Sequence, residues 1–225
     1  MKAPQSIPSV AKDFSLIKKL LDVVAQTARP KAQEIPIFPL SGVLFPGGLM
    51  PLNIFEQRYM DMTKACLKSG AAFGICLIRE GGEVGAPAVP EAIGTMAQIQ
   101  DWDMQQLGIL QVRVAGEGRF RIVDRRVIHS GLIIGQVTPI PDDENTDCPE
   151  FVPCRDFLHK VLAQIGNAHF KGELRLDDTS WVSYRITEIL PMSQIIKQKM
   201  LELTSARMRI EILHRVLLEQ KLITQ

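Results

Sequence analysis

The chain has 225 residues, enough to bury one large core or two small ones. Its hydrophobic fraction of 46% against 23% charged residues is that of a folded chain, not a disordered one. A formal net charge of +1 argues against a strong nonspecific grip on nucleic acid or anionic membrane, which needs a concentrated basic surface.

The segment "KDFSLIKKLLDVVAQTARP" predicts an amphipathic helix, with Phe14, Ile17, Leu21 and Val24 on one stripe and Pro30 ending it. Its acidic residues and the lack of an uncharged core before a cleavage site argue against a targeting peptide. The stretch "IPIFPLSGVLFPGGLMPLNIFEQRY" is apolar, yet Pro36, Pro39, Pro46, Pro51 and Gly47-Gly48 break it too often for a membrane span. Cut at its breakers, it leaves three strand-sized pieces, "IPIFPL", "GVLF" and "MPLNIF". Proline lacks the N–H a central ladder needs, so these strands are expected at edges, bends or strand starts of a small curved sheet or barrel.

"EQRYMDMTKACLKSG" predicts a helix, with Tyr59, Met62, Thr63, Cys66 and Leu67 on its stripe and Gly70 as its C-cap. "AFGICLIR" predicts a strand, and "EGGEVGAPAVPE" a loop. "IGTMAQIQDW" and "LGILQVRVAG" predict a hairpin joined around "DMQQ". "GRFRIVDRRV" alternates, placing Phe120 and Ile122 on one face and Arg119 and Arg121 on the other. "LIIGQVTPI" is the last predicted strand.

At "PIPDDENTDCPEFVP" the composition turns acidic and proline-bearing, and β patterns stop. "CRDFLHKVLAQIG" predicts a helix with Leu158, Val161, Leu162 and Ile165 on one face, and "DDTSWVSYRITEILP" a second helix with Asp or Ser/Thr caps. "MSQIIKQKMLELTSARMRIEILHRVLLEQKL" predicts one long helix capped by Ser193, with Ile196, Met200, Leu203, Ile210, Leu213 and Leu217 as its stripe. The expected organisation is α+β: an N-terminal extension over 1–34, a β-rich part over 35–141, a linker over 142–150 and a helical part over 151–225.

Motifs for chemistry are sparse. No phosphate-cradling GxxxxGK[ST] loop, HExxH or GxSxG occurs, and the four histidines stand singly. Cys66, Cys76, Cys148 and Cys154 form no CxxC and predict reduced, buried thiols of a cytoplasmic protein. No cofactor, no metal and no catalytic residue is expected. Glu56 and Arg58, at a strand-to-helix junction, are expected to form an ion pair or cap. Two apolar stretches suggest a contact surface. Phe45, Leu49 and Met50 surround a loop pinned by Pro46 and Pro51, and Trp102 and Met104 are expected at the hairpin tip. Closure of the barrel ends is the competing role for the same residues.

The quoted stretches carry a resemblance. "IPIFPLSGVLFPGGLMPLNIFEQRYMDM" resembles the opening signature of the Lon protease N-terminal domain family, and "IGTMAQI", "GEGRFRIV" and "WVSYRITEILPMSQIIKQKMLELTSARMRIEILHRVL" resemble its later segments in order. The resemblance implies a PUA-like pseudo-barrel packed on a C-terminal helical bundle. It implies a non-catalytic, substrate-recognising or adaptor role toward unfolded or flexible polypeptides, related to ATP-dependent proteolysis. The ATPase and Ser–Lys protease modules of a Lon peptidase have no counterpart in the quoted segments, so a standalone bacterial LON-domain protein is expected. Two alternatives stay open. PUA-like folds can hold RNA, and Arg119, Arg121, Arg125 and Arg126 could serve that; a small-molecule binder or unrecognised enzyme would show a deep pocket with convergent polar groups.

Overall fold

Proline is tolerated in a sheet only where its missing N–H is not needed, and strand β1 (Gln33–Leu40), with Pro36 and Pro39, meets that condition in an unusual way. The computed structural model describes residues 32–141, 145–166 and 170–224; the predicted helix before Pro30 and the acidic residues 142–144 lie outside the described residues. The first half of β1 pairs antiparallel with β7 (Ile133–Pro139), from Gln33 opposite Val137 to Ile37 opposite Ile133. Its second half pairs parallel with β3 (Phe73–Glu80), from Ile37 opposite Gly74 to Leu40 opposite Leu77. The strand changes partner at Ile37, so each half is an edge on one side, and each half carries one proline.

The ring then closes through β5 (Ile93–Gln106) and β6 (Ile109–Val127), in the order β1-β7-β6-β5-β3 and back to β1. Two strands lie off this ring: β2 (Leu49–Ile54) pairs with β6, and the short β4 (Val89–Pro90) with β3. All pairings except β1 with β3 are antiparallel. Inside, Phe38, Leu52, Ile54, Phe73 and Val112 form one apolar cluster, and Ile37, Cys76, Phe120 and Val137 another. Gly74 lets the walls meet, because a Cβ there would stand 2.5 Å from the Phe120 ring and 2.9 Å from Ile37. Helix α1 (Gln57–Ser69) closes the ring with Tyr59, Met60, Met62 and Cys66; Tyr59 stacks on Phe38 at 4.1 Å, and Gly70 caps the helix at φ 69°.

The C-terminal part holds α2 (Phe151–Ile165), α3 (Thr179–Ile189), α4 (Gln194–Glu202) and α5 (Ala206–Glu219). The N-caps of α3, α4 and α5 are made by the side chains of Asp178, Ser193 and Ser205. Their core unites Leu158, Leu162, Trp181, Ile186, Leu201, Ile210 and Leu213, and takes in Phe45 and Ile93 from the β-rich part. Gln198 Nε2 donates to the Ile93 carbonyl at 3.0 Å. The described residues from Gln33 onward form one compact unit. The four cysteines are free and buried, and burial raises each thiol pKa.

Four expectations are corrected. The long C-terminal helix is two helices, broken at Leu203–Ser205. The Leu203 carbonyl there accepts from Arg119 Nη1 and from Arg209 Nη1 at 2.6 and 2.9 Å, and Ser205 starts α5 by accepting from Met208 N at 3.3 Å. Ile196, at the start of α4, is exposed, although Met200 one turn later is buried. Arg119 does not share a solvent face with Arg121: it is 3% exposed and reaches the Leu201 and Leu203 carbonyls at the end of α4. "GVLF" is irregular, not a strand, because Leu44 and Phe45 are held by side-chain burial instead of a ladder. The hairpin turn is Leu107-Gly108, with Gln106 opposite Ile109 and Gly108 at φ 86°; "DMQQ" belongs to β5.

Candidate functional site

The loop before β2 is built by a small network. Gly47 turns the chain at φ 76°. Its N–H donates to the Gly116 carbonyl at 2.8 Å, Gly116 N returns a bond to Gly48 O at 2.8 Å, and Lys171 N donates to Gly47 O at 3.0 Å. The loop expected to be pinned by Pro46 and Pro51 is thus also bonded between them, to Gly116 on one side and Lys171 on the other. Phe45 is not on the surface: it is fully buried, its ring 5.4 Å from that of Tyr184. Leu49 and Met50 are half-buried. Trp102 is 55% exposed and Met104 40%, but both lie along β5 and not at its tip, where Leu107 stands 96% exposed.

Leu49 and Met50 lie on β2 and Trp102 on β5, with β6 between them. Leu52 on β2 lies opposite Val112 on β6, which lies opposite Trp102 on β5. Cross-strand neighbours share a face, so this apolar row is buried at Leu52 and Val112 and emerges at Trp102. A cleft of about 420 Å³ there is lined by Pro51–Asn53, Trp102, Asp101, Asp103 and Arg113. A second, of about 370 Å³, runs along the other side of β2, between Met50–Glu56 and Leu40–Gly42, with Tyr59, Glu83 and Val84. A third, of about 460 Å³, lies beside Phe45, Leu49 and Met50 and is walled by Leu162, Ile165 and Ile189.

The floor of the third cleft is charged. Arg185, 1% exposed, donates from Nη2 to the Pro46 carbonyl at 3.0 Å and to Glu188 Oε1 at 2.7 Å. Its guanidinium stands 5.7 Å from the Trp181 ring, and Nε and Nη1 have no hydrogen-bond partner among the described residues. Lys197 Nζ donates to the Glu188 carbonyl at 2.8 Å. Burial pushes the Glu188 carboxyl up to about 7, against the pull of Arg185 and Lys197. Burial likewise lowers the pKa of Lys197. Neither the group nor its burial was legible beforehand; the only signal was the Arg185…Glu188 spacing on a helix.

Glu56 and Arg58 form the expected ion pair, at 2.8 Å, and Glu56 makes no side-chain cap. Arg58 also covers the Tyr59 ring at 4.7 Å and donates to the Gly131 carbonyl at 3.2 Å, which ties α1 to the loop before β7. The four arginines of the RNA alternative are dispersed in their bonding. Arg119 is buried, Arg126 is paired with Glu34, and Arg125 reaches the Pro90 carbonyl at 3.5 Å. A fourth cleft, about 670 Å³, lies between Pro46-Gly47, Gly116–Arg119 and residues of 171–181 including Lys171, Arg175, Asp178 and Trp181. Its charged groups include two pairs, Lys171 with Glu117 at 3.9 Å and Arg175 with Asp178. Among the described residues, no three His, Cys, Asp or Glu converge as a metal site, and no helix is long and apolar enough to cross a membrane.

A closed, mostly antiparallel ring with an outer edge strand, followed by C-terminal helices, and with clefts gathered on the outside, defines an α+β barrel domain built around a surface. The chain belongs to the family of the ATP-dependent protease La (LON) substrate-binding domain, which it matches over residues 34–219. A Lon N-terminal domain protein from Xanthomonas campestris is 34% identical, with a TM-score of 0.68 over 80% of this chain and 96% of that one. The N-terminal domain of a Mycobacterium avium complex Lon protease shares the fold at 18% identity, with a TM-score of 0.61 over the same shares. Membership of a substrate-binding family supports a substrate-recognition role.

Proposed function

We propose that the protein binds exposed apolar segments of unfolded or flexible polypeptides, as a non-catalytic recognition or adaptor module related to ATP-dependent proteolysis. The observation that carries this is the row Leu52–Val112–Trp102, which runs out of the core to an exposed indole. Tryptophan offers large contact area with few torsions to freeze, and methionine adapts to partners of varied shape. The family membership supports the same reading. Replacing Trp102 and Met50 together by Ser should weaken binding of fluorescently labelled casein by about 1–3 kcal/mol if these are hot spots. Folding stability should fall by no more than about 1–2 kcal/mol, because Trp102 is mostly exposed and Met50 is only half-buried against the barrel core. Parent-like binding, or a loss of several kcal/mol of folding stability, would assign these residues to barrel closure instead.

A further inference from the structure

Strand β2 has a partner on one side only. Among the described residues its single strand neighbour is β6, and the opposite edge borders the cleft lined by Met50–Glu56. The direction of its main-chain groups follows from one bond. In an antiparallel pair, alternate residues point both N–H and C=O at the partner strand. Gly116 N donates to Gly48 O, so Gly48, Met50, Leu52 and Ile54 face β6. Leu49, Pro51 and Asn53 therefore face away. Pro51 falls in the set that needs no N–H for the β6 ladder, which is where a proline is tolerated. Toward Gly48 this edge is already occupied, since Gly48 bridges Phe170 and Lys171 N donates to Gly47 O at 3.0 Å; beyond it, the edge presents the C=O of Leu49 and Pro51 and the N–H and C=O of Asn53.

A row of main-chain donors and acceptors at strand spacing is complementary to another extended main chain. The flanking side chains define the rest of the occupant. Phe38, Leu40 and Tyr59 line the cleft, and Phe55 and Val84, 55% and 61% exposed, also line it. The charged residues lining it are both acidic: Glu83, and Glu56, whose other oxygen is paired with Arg58 and whose Oε1 has no hydrogen-bond partner among the described residues. On the other side of β2, Asp101 and Asp103 outnumber Arg113.

We propose that β2 accepts an extended polypeptide segment as an added strand, apolar at alternate positions and flanked by a basic residue. This rests on the polypeptide-binding function proposed above and supplies its geometry. Recognition through the main chain tolerates many sequences, as a binder of mixed clients requires. Pro51 removes one donor from the middle of the edge. That weakens any single guest and guards against pairing between copies.

The test uses the whole protein and a labelled peptide, Lys-Thr-Val-Thr-Val-Thr-Val-Thr-Lys, followed by fluorescence anisotropy. One derivative carries N-methyl groups on every Val and another on every Thr. In an added strand only one of these sets faces β2, so one derivative should bind at least about tenfold more weakly and the other within about twofold of the parent. Asn53→Pro should also bind about tenfold more weakly with an unchanged Tm, because the Asn53 N–H faces away from β6. A peptide with Glu in place of both Lys should bind at least about fivefold more weakly. Equal binding of the two N-methyl derivatives, with casein still bound, overturns strand addition and leaves polypeptide binding standing. If neither the parent peptide nor casein binds, the polypeptide reading itself falls. Equal affinity for the Glu-flanked peptide overturns the basic flank. The N-methyl comparison keeps its meaning should Asn53→Pro fail to fold.

Discussion

Glu188 allows a pH experiment whose sign is fixed by where the carboxyl sits. Its pKa rises from the ordinary 4.5 to about 7 in the fold, because burial disfavours the charge more than Arg185 and Lys197 favour it. The folded state therefore holds this proton more tightly than the unfolded chain. The stability that the group contributes is fully present below pH 4.5, is lost as pH rises toward 7, and changes little above that. At 1.36 kcal/mol per pKa unit, the full shift would be worth about 3 kcal/mol. A quarter of the Glu188 side chain still meets water, so about 1–2 kcal/mol is the expected span. Glu188→Gln keeps an oxygen for Arg185 Nη2 and removes the titration. Urea denaturation of both proteins at pH 5, 6, 7 and 8 isolates the effect, since other titrating groups cancel in the difference. Relative to the parent, the variant should gain about 1–2 kcal/mol between pH 5 and pH 8. A difference that stays constant with pH, or runs the other way, would refute the reasoning.

Arg119→Met should cost about 2–4 kcal/mol in urea denaturation, because it leaves the Leu201 carbonyl without that donor while Arg209 still serves Leu203; a loss below about 1 kcal/mol would show the contact to be dispensable. Limited proteolysis is expected to cut first within the acidic stretch 142–147, on its composition, dividing a β-rich piece from a helical one. The two pieces should co-elute on gel filtration, held by Phe45, Arg119 and Gln198; a first cut inside 93–137 would contradict the proposed organisation.

What could be read from the sequence was what local chemistry decides. Gly70, Asp178 and Ser193 act at their helix ends because φ > 0 and side-chain capping are needs of a few neighbouring residues. The misreadings arise from partners far along the chain. Arg119 alternates like a solvent-facing residue, and its burial comes from helix ends more than eighty residues later. The break at Leu203 contains no Gly or Pro; Thr204-Ser205 was its one local sign, and Arg119, far back in the chain, holds it together with nearby Arg209. At the candidate site, the residue types at Leu49, Met50 and Trp102 suggested contact, but the row that carries Trp102 out of the core, Leu52–Val112–Trp102, depends on a three-strand register. Phe45 looked like their companion, yet the helical core claims it.

The change of partner at Ile37 also sets an order for the chain as it is synthesised. The second half of β1 can pair as soon as α1 and β3 have emerged from the ribosome. The first half must wait for β7, which follows every other strand. During that interval Ile35 and Ile37, later buried, sit on an unpaired β edge, the kind of surface that captures neighbouring nascent chains. Pro36 lies between them. A proline there offers no N–H, which interrupts the row of donors along this half of β1.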